Sequence, residues 1–202
     1  MASNRLSRSV IYRGLRKTLT GRYGAEKAAA LWQDANCRLA DMTAAHRDLP
    51  RDAQMMVLPA AALYAALRET APEEALPLLT AYGKAAGEKL GRLVHAATCI
   101  PFLPELLWKH MPALMRKMSA PEKGYSRFIV SETPELVGVD ILACPIHDAA
   151  VTLGMPEVAT VVCAMDKAYM TGFRRIRYTR TTSVAEGGSC CDYRLSYDRS
   201  KK

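Results

Sequence analysis

Four of the six cysteines lie between Asp140 and Tyr197, together with charged residues that could activate a thiol. Three short segments carry them: Cys144-Pro145, Cys163-x-x-Asp166 and Cys190-Cys191-Asp192-Tyr193-Arg194. A thiol becomes a nucleophile when nearby positive charge or a general base stabilises its thiolate. This stretch of the chain therefore indicates a cysteine-centred reaction site.

Cys144 is one candidate nucleophile. If a strand ends at Cys144 and a helix begins at Pro145, the positive end of the helix dipole favours a thiolate. His147 would then lie one turn further on, within reach of the thiol. The alternative is a buried structural thiol beside a solvated imidazole, and a single Cys-x-x-His spacing does not separate the two.

Cys163 and Asp166 are three residues apart and would lie on adjoining faces of a helix. Asp166 could then orient a water molecule, accept a proton or bind an ammonium group of a substrate. The alternative is an ordinary exposed carboxylate on a helix surface. The surrounding cysteines and arginines make the functional interpretation as strong as the structural one.

The segment from Cys190 to Tyr197 alternates in the manner of a strand, which predicts opposite directions for neighbouring side chains. Cys191 falls on the apolar face, towards the core or a cavity, and Cys190 on the other. Cys191 is therefore the second candidate nucleophile. By the same alternation Asp192 and Arg194 face away from Cys191.

Zinc binding is the main alternative use of these thiols. Structural zinc sites usually show paired cysteines or histidines at short spacings, and the candidates here are dispersed singly. Cys144, Cys163 and Cys191 could still meet around an ion in the folded chain. We expect no cofactor and keep zinc as the alternative.

The elements that must position these residues fall into two groups. Helical periodicity dominates the chain before Pro121, and the pattern changes to strands after Gly124. The predicted helices are Val10–Thr20, Ala25–Ala45, Asp52–Thr70, Leu76–Ala97 (as one helix or two) and Ile100–Met118. The predicted later elements are strands at Tyr125–Val130 and Val137–Cys144, a helix at Pro156–Met170, and a hairpin of Phe173–Val184 with Cys190–Tyr197.

The fold class that follows is α+β. A helical N-terminal region, residues 1–120, packs on a C-terminal region, residues 121–202, which contains an antiparallel β-sheet and one or two helices. A chain of 202 residues can bury a substantial core, so we expect one compact domain overall.

The net charge of +8 is unevenly distributed. Residues 1–120 carry 17 basic and 10 acidic side chains, whereas residues 121–202 carry 11 and 10. No zinc-finger or other nucleic-acid motif accompanies the basic excess, so we expect no nucleic-acid partner. The basic first helix is expected to dock on the body, with a membrane-surface helix or a mitochondrial presequence as alternatives.

Cysteine usage and hydropathy suggest the compartment. No secretory signal and no segment long enough to cross a bilayer is recognisable, and six cysteines in such a chain favour free thiols in a reducing compartment. We therefore expect a cytoplasmic protein with a small-molecule substrate. The sequence leaves homo-oligomer formation open.

The C-terminal segments resemble the L-2-amino-thiazoline-4-carboxylic acid hydrolase family. The resemblance rests on Cys144-Pro145, Cys163-x-x-Asp166, Arg180-Thr181 and, most specifically, Gly187-Gly188-x-x-Cys191-Asp192-Tyr193-Arg194. It covers roughly residues 120–197. Tyr193 stands where the family commonly has Phe, and Cys190 is an additional thiol.

The resemblance implies hydrolytic opening of a small cyclic amidine-like ring by a cysteine-centred site. In that chemistry water or a thiolate adds to the C=N carbon, an acid protonates the leaving heteroatom, and a basic group holds the substrate carboxylate. We predict the catalytic residues to be Cys144 or Cys191 as nucleophile, with His147 and Asp166 in proton transfer. The predicted substrate-binding residues are Cys163, Arg180, Thr181 and Arg194, the two arginines holding the carboxylate. The alternative function is a small-molecule or metal-binding sensor module without turnover.

Overall fold

The computed structural model describes residues 5–199 and consists of helices beside one four-stranded antiparallel sheet. The α+β prediction is therefore confirmed. The helices are α1 (Arg5–Arg8), α2 (Leu15–Tyr23), α3 (Ala25–Ala45), α4 (Arg51–Thr70), α5 (Pro72–Ala97), α6 (Leu103–Met118), α7 (Pro145–Thr152) and α8 (Ala159–Met170). The strands are β1 (Ser126–Glu132), β2 (Leu136–Ala143), β3 (Ile176–Thr179) and β4 (Cys191–Tyr197).

The sheet has the strand order β1-β2-β4-β3, with every neighbouring pair antiparallel. Strands β3 and β4 form the predicted hairpin, but β3 is short and ends at Thr179. The connection to β4 therefore runs from residue 180 to residue 190. It contains a 3-10 turn at Val184–Glu186 and ends that turn at Gly187, whose φ of 85° suits glycine.

Most predicted helices agree with the structure, and the differences have local causes. Helix α5 is continuous, so neither Gly83 nor Gly87 divides it. The first long helix begins at Leu15 rather than Val10, because a 3-10 turn at Tyr12–Gly14 precedes it. Val10 is 84% exposed, whereas Leu15 and Leu19 of this segment are buried.

The first helices dock on the body of the protein, as we expected from their apolar residues. Leu15 and Leu19 of α2 are fully buried in a helical core that also contains Trp32 of α3 and Leu63 of α4. Burial of such side chains contributes roughly 1.5–3 kcal/mol each. Within residues 5–199 no helix combines the length and apolar character that a bilayer crossing requires.

Helix α6 packs on the sheet, where it covers one face. Trp108, Met111 and Met115 share a core with Val139 of β2 and Leu195 of β4. The predicted boundary at residue 120 therefore separates α6 from the strands on which it packs. The division of the chain into a helical and an α+β region stays a prediction. Residues 1–4 and 200–202, at their outer ends, lie outside the described residues.

Several hydrogen bonds also join α6 to the β1–β2 hairpin. The Trp108 indole N–H donates to the Pro134 carbonyl oxygen over 2.7 Å. Arg127 of β1 donates to the carbonyl oxygens of Arg116 and Ser119, at the C-terminal end of α6. The last turn of α6 is thus fixed to the edge strand of the sheet.

Helices α5 and α8 approach each other closely because glycines replace side chains at their contact. Gly83, Gly87 and Gly91 recur every four residues along one face of α5. A Cβ on Gly83 would lie 2.6 Å from the carbonyl oxygen of Val161, and one on Gly87 would overlap that of Met165. The absence of these Cβ atoms fixes the position of α8.

We expect Gly87→Ala to destabilise the protein. The added methyl group must push the α8 backbone away, and overpacking of this kind costs roughly 1–3 kcal/mol. Gly21→Ala is the matched control, since nothing lies within 4 Å of a Cβ at Gly21 and the residue is inside a helix. The control should gain stability by about 0.5–1 kcal/mol through helix propensity. Denaturant unfolding measures both, and equal free energies of unfolding for the two variants would contradict the tight contact.

Candidate functional site

A cavity of about 220 Å³ lies where the inner face of the sheet meets α4, α6, α7 and α8. Five of the eight predicted site residues line it: Cys144, Cys163, Asp166, Arg180 and Cys191. The remaining lining residues are Asp52, Met56, Met115, Met118, Ser119, Lys123, Tyr125, Ile141, Ile146, Val162, Met170 and Tyr193.

Cys144 immediately precedes α7 in extended conformation, and Pro145 is the first residue of that helix. Burial raises the pKa of the Cys144 thiol, while the backbone N–H groups of His147 and Ile146 act in the opposite direction. Burial dominates, so the helix start does not by itself produce a thiolate. The Cys144 thiol therefore keeps its proton more firmly than an exposed cysteine does.

His147 does not line the cavity. Its ring lies on the first turn of α7 beside the Asp148 carboxylate, with 3.7 Å between Nδ1 and Oδ1. The backbone of His147, rather than its imidazole, is the part that influences Cys144.

Helix α8 directs Cys163 and Asp166 into the cavity, one turn apart. Burial raises the pKa of Cys163 to about 11, although the positive charge of Arg180 opposes the shift. Burial also raises the pKa of Asp166, and a hydrogen bond from Tyr193 and the charge of Arg180 oppose it. Asp166 therefore holds a proton at higher pH than an ordinary aspartate does.

Asp166, Tyr193 and Arg180 form one polar cluster in the cavity wall. The Tyr193 hydroxyl donates to Asp166 Oδ2 over 2.8 Å, and Arg180 Nη1 donates to the Tyr193 oxygen over 3.3 Å. The distance between Arg180 Nη1 and Asp166 Oδ2 is 3.7 Å. The Arg180 side chain is only 5% exposed, and its guanidinium carbon lies 5.6 Å from the Tyr193 ring centre. The cluster joins α8 to β4 and to the residue that follows β3.

Cys191 is buried, as the alternation of β4 predicts. The backbone N–H of Val184 points at its sulfur over 3.3 Å. The Ser183 hydroxyl lies 3.8 Å from the Cys191 sulfur and 3.9 Å from the Cys163 sulfur. A single buried hydroxyl therefore separates two of the three thiols in the cavity.

Thr181 is not part of the cavity wall and instead helps to shape the connection between β3 and β4. Its backbone N–H and its hydroxyl donate to Asp192 over 2.8 and 2.6 Å, and the N–H of Thr182 donates over 2.7 Å. Burial raises the pKa of Asp192, but these hydrogen bonds outweigh it and hold the pKa below its usual range. Asp192 thus fixes the loop that carries Arg180 and Ser183.

Arg194 lies on the opposite face of the sheet from Cys191 and does not line the cavity. Its guanidinium pairs with Asp140 of β2, with 2.8 Å between Nη1 and Oδ1. The period-two alternation of a strand is the reason, because residues 191 and 194 differ by an odd number. The predicted pair of carboxylate-binding arginines is therefore reduced to Arg180 in this cavity.

Sequence reasoning gave no site role to Tyr193, Ser183 or Asp192. Tyr193 could have been found, since it shares a strand face with Cys191. Ser183 and Asp192 act through a loop whose conformation has no simple sequence signal. Gly188 lies against Thr182, where a Cβ would overlap the threonine hydroxyl.

A zinc centre lacks a suitable arrangement of ligands in the part of the chain that the structure describes. No three His, Cys, Asp or Glu side chains there are grouped so that they could hold a metal ion. Cys144, Cys163 and Cys191 line a common cavity without forming such a group.

We expect Asp192→Ala to loosen the connection between β3 and β4. Backbone amide exchange at Thr181 and Thr182 should become faster by roughly tenfold or more, since charge-assisted hydrogen bonds are lost. Asp140→Ala is the matched control, because it removes a carboxylate from the same sheet that contacts Arg194 instead of the loop. Unchanged exchange at both threonines in Asp192→Ala would show that Asp192 does not hold the loop.

The residues that line the cavity lie within a segment that matches one known protein family. No curated protein matches the chain. The sequence model of one family, L-2-amino-thiazoline-4-carboxylic acid hydrolase, matches residues 51–195. The match therefore includes α4, α5 and α6 as well as the C-terminal segments that carry the resemblance. It spans well over half of the chain, and the protein belongs to the L-2-amino-thiazoline-4-carboxylic acid hydrolase family.

Proposed function

We propose that this protein is a hydrolase that opens a small carboxylated cyclic amidine, such as L-2-amino-thiazoline-4-carboxylate, with a cysteine in the cavity. The main observation in support is that three thiols line one cavity together with the Asp166–Tyr193–Arg180 cluster. These groups supply a nucleophile, a proton carrier and a cation, which are what such a ring opening needs. Membership of the family supports the same reaction class.

The size of the cavity suits such a substrate. An apolar cavity of about 150 Å³ accommodates benzene. The cavity here measures about 220 Å³, enough for a five-membered ring with a few substituents.

Arg180 is the group we assign to the substrate carboxylate. Burial lowers the pKa of Arg180, but Tyr193 and Tyr178 raise it by more, so the side chain remains a cation. Its hydrogen bonds to Tyr193 and to the Cys163 carbonyl use two of five N–H groups. We assign the remaining N–H groups to the substrate carboxylate, which a guanidinium binds well in a site with little water.

We assign the nucleophile to Cys144 rather than Cys191. Cys144 is a partly buried residue of the cavity lining and has the positive end of α7 beside it. Cys191 is more deeply buried, and its sulfur already contacts the Val184 N–H. Asp166, whose pKa burial raises, is a stronger base than an ordinary carboxylate and can accept the thiol proton.

The proposed reaction has two stages. First, the Cys144 sulfur bonds to the amidine carbon, and the thiol proton passes to Asp166. Asp166 then gives this proton to the ring heteroatom as the bond between that heteroatom and the amidine carbon breaks. The opened substrate is then attached to the sulfur through that carbon. Second, water adds to the same carbon, the bond between this carbon and the Cys144 sulfur breaks, and the Cys144 thiol recovers a proton through Asp166. The net change is the addition of one water molecule.

The test of this proposal is turnover of L-2-amino-thiazoline-4-carboxylate by the reduced protein. We expect hydrolysis, and a loss of kcat/KM of about a thousandfold or more in Cys144→Ala, because the nucleophile is removed. Cys99→Ala is the control, since Cys99 is exposed and does not line the cavity. It should retain normal kinetics.

A second variant, Cys191→Ala, distinguishes this mechanism from its alternatives. Full activity in Cys144→Ala together with inactive Cys191→Ala would move the nucleophile to Cys191. If both variants retained full turnover, covalent catalysis would be abandoned in favour of direct attack by water. Tight binding without any product would favour the sensor module.

The pH dependence tests Asp166. We expect kcat/KM to fall as the pH falls through the pKa of Asp166, because a protonated carboxyl cannot accept the thiol proton. Burial holds that pKa above the ordinary value of 3.8, so the acid limb should lie above this pH. Initial rates between roughly pH 4 and pH 8 measure it. An unshifted limb, or the same limb in Asp166→Asn, would contradict the assigned role.

A further inference from the structure

Much of the cavity wall has no polar group to offer a ligand. Asp52 and Lys123 pair with each other across 3.5 Å, and the Ser119 hydroxyl donates to the Met115 carbonyl. Asp52 and Lys123 are paired and nearly half exposed to solvent, so the Asp166–Tyr193–Arg180 cluster is the more buried charged part of the lining among the described residues. Charged groups of a ligand gain most at this cluster, because electrostatic attraction is stronger where water is excluded.

The apolar part of the lining includes four methionines from three helices. Met56 of α4, Met115 and Met118 of α6, and Met170 of α8 line the cavity, and we call these four residues the methionine wall. Ile141, Ile146 and Val162 extend the apolar surface. The cavity therefore has one polar cluster and a large apolar remainder.

A ligand that is polar on every edge does not suit such a cavity. Its amino and carboxylate groups can reach one cluster, and any further polar atoms would lose water against the methionine wall without gaining a partner. Burial of unpaired polar groups is unfavourable, whereas apolar groups gain from leaving water.

We infer that the preferred substrate is a carboxylated cyclic amidine that bears an apolar substituent, and that the methionine wall contacts this substituent. The inference rests on the proposed function for the identity of the ring, and on the lining of the cavity for the substituent. Methionine side chains are flexible and polarizable, so the wall can adapt to substituents of different shapes. The site thus selects for apolar character more than for one particular outline.

The experiment compares two ligands, 2-amino-thiazoline-4-carboxylate and its 5,5-dimethyl derivative. Calorimetry with Cys144→Ala protein measures binding without turnover, and initial rates with the unaltered chain measure kcat/KM. We expect the dimethyl compound to bind about tenfold more tightly, from the transfer of two additional methyl groups into an apolar site. Equal or weaker binding of the dimethyl compound would overturn the inference, as would a lack of binding by both compounds.

A pair of adjacent methionines tests whether the wall is responsible. Met56 lines the cavity, whereas Met55 is exposed and does not. Met56→Gln, similar in size but polar, should reduce the preference for the dimethyl compound to about threefold or less. Met55→Gln should leave the preference unchanged. An undiminished preference in folded Met56→Gln protein would show that the substituent lies elsewhere.

The results also separate this inference from the proposed function. Hydrolysis of both compounds with equal binding would support the hydrolase and reject the apolar substituent. Tighter binding of the dimethyl compound without hydrolysis of either would support the apolar ligand class and reject the hydrolase.

Discussion

The close contact between α5 and α8 is the constraint on which the site depends. Three glycines on one face of α5 allow the two backbones to touch, so α8 cannot move towards α5 and has little freedom to rotate against it. Cys163 and Asp166 project from the opposite side of the contact into the cavity. A contact made of backbone atoms cannot be adjusted by side-chain rotation, and the direction of these two side chains is correspondingly well defined.

The polar cluster joins the helical layer to the sheet on the other side of α8. Asp166 and Arg180 lose water when they are enclosed, and both gain a hydrogen bond with the hydroxyl of Tyr193, while the charge of Arg180 also stabilises the Asp166 carboxylate. Tyr193 thus contacts both charged groups. Burial and the nearby Asp166 raise the pKa of Tyr193 well above its ordinary value, so the hydroxyl remains a donor. The sheet thus contributes to the site through a neutral group placed between two charged ones.

Local periodicity predicted the fold class and the inward direction of Cys191, because both depend on short-range pattern. It also predicted that Arg194 faces away from Cys191, and Arg194 accordingly does not line the cavity with Arg180, although the substrate chemistry implied by the family resemblance had grouped the two arginines. The contact between Asp166 and Tyr193 joins residues 27 positions apart, and no local pattern reports such a distance. The shape of the β3–β4 connection could not be predicted from local sequence either, since it depends on the Asp192 carboxylate, which belongs to the following strand.

The attachment of α6 to the β1–β2 hairpin has a mechanical consequence. Trp108 of α6 bonds to Pro134 between β1 and β2, and Arg127 of β1 bonds to the C-terminal end of α6, so helix and hairpin are joined as one unit. Met115 and Met118 belong to this unit and line the cavity. Moving α6 away from the cavity would therefore have to break these hydrogen bonds or displace the edge strand together with the helix. Residues of an outer strand that does not line the cavity thus help to hold two residues of its wall in place.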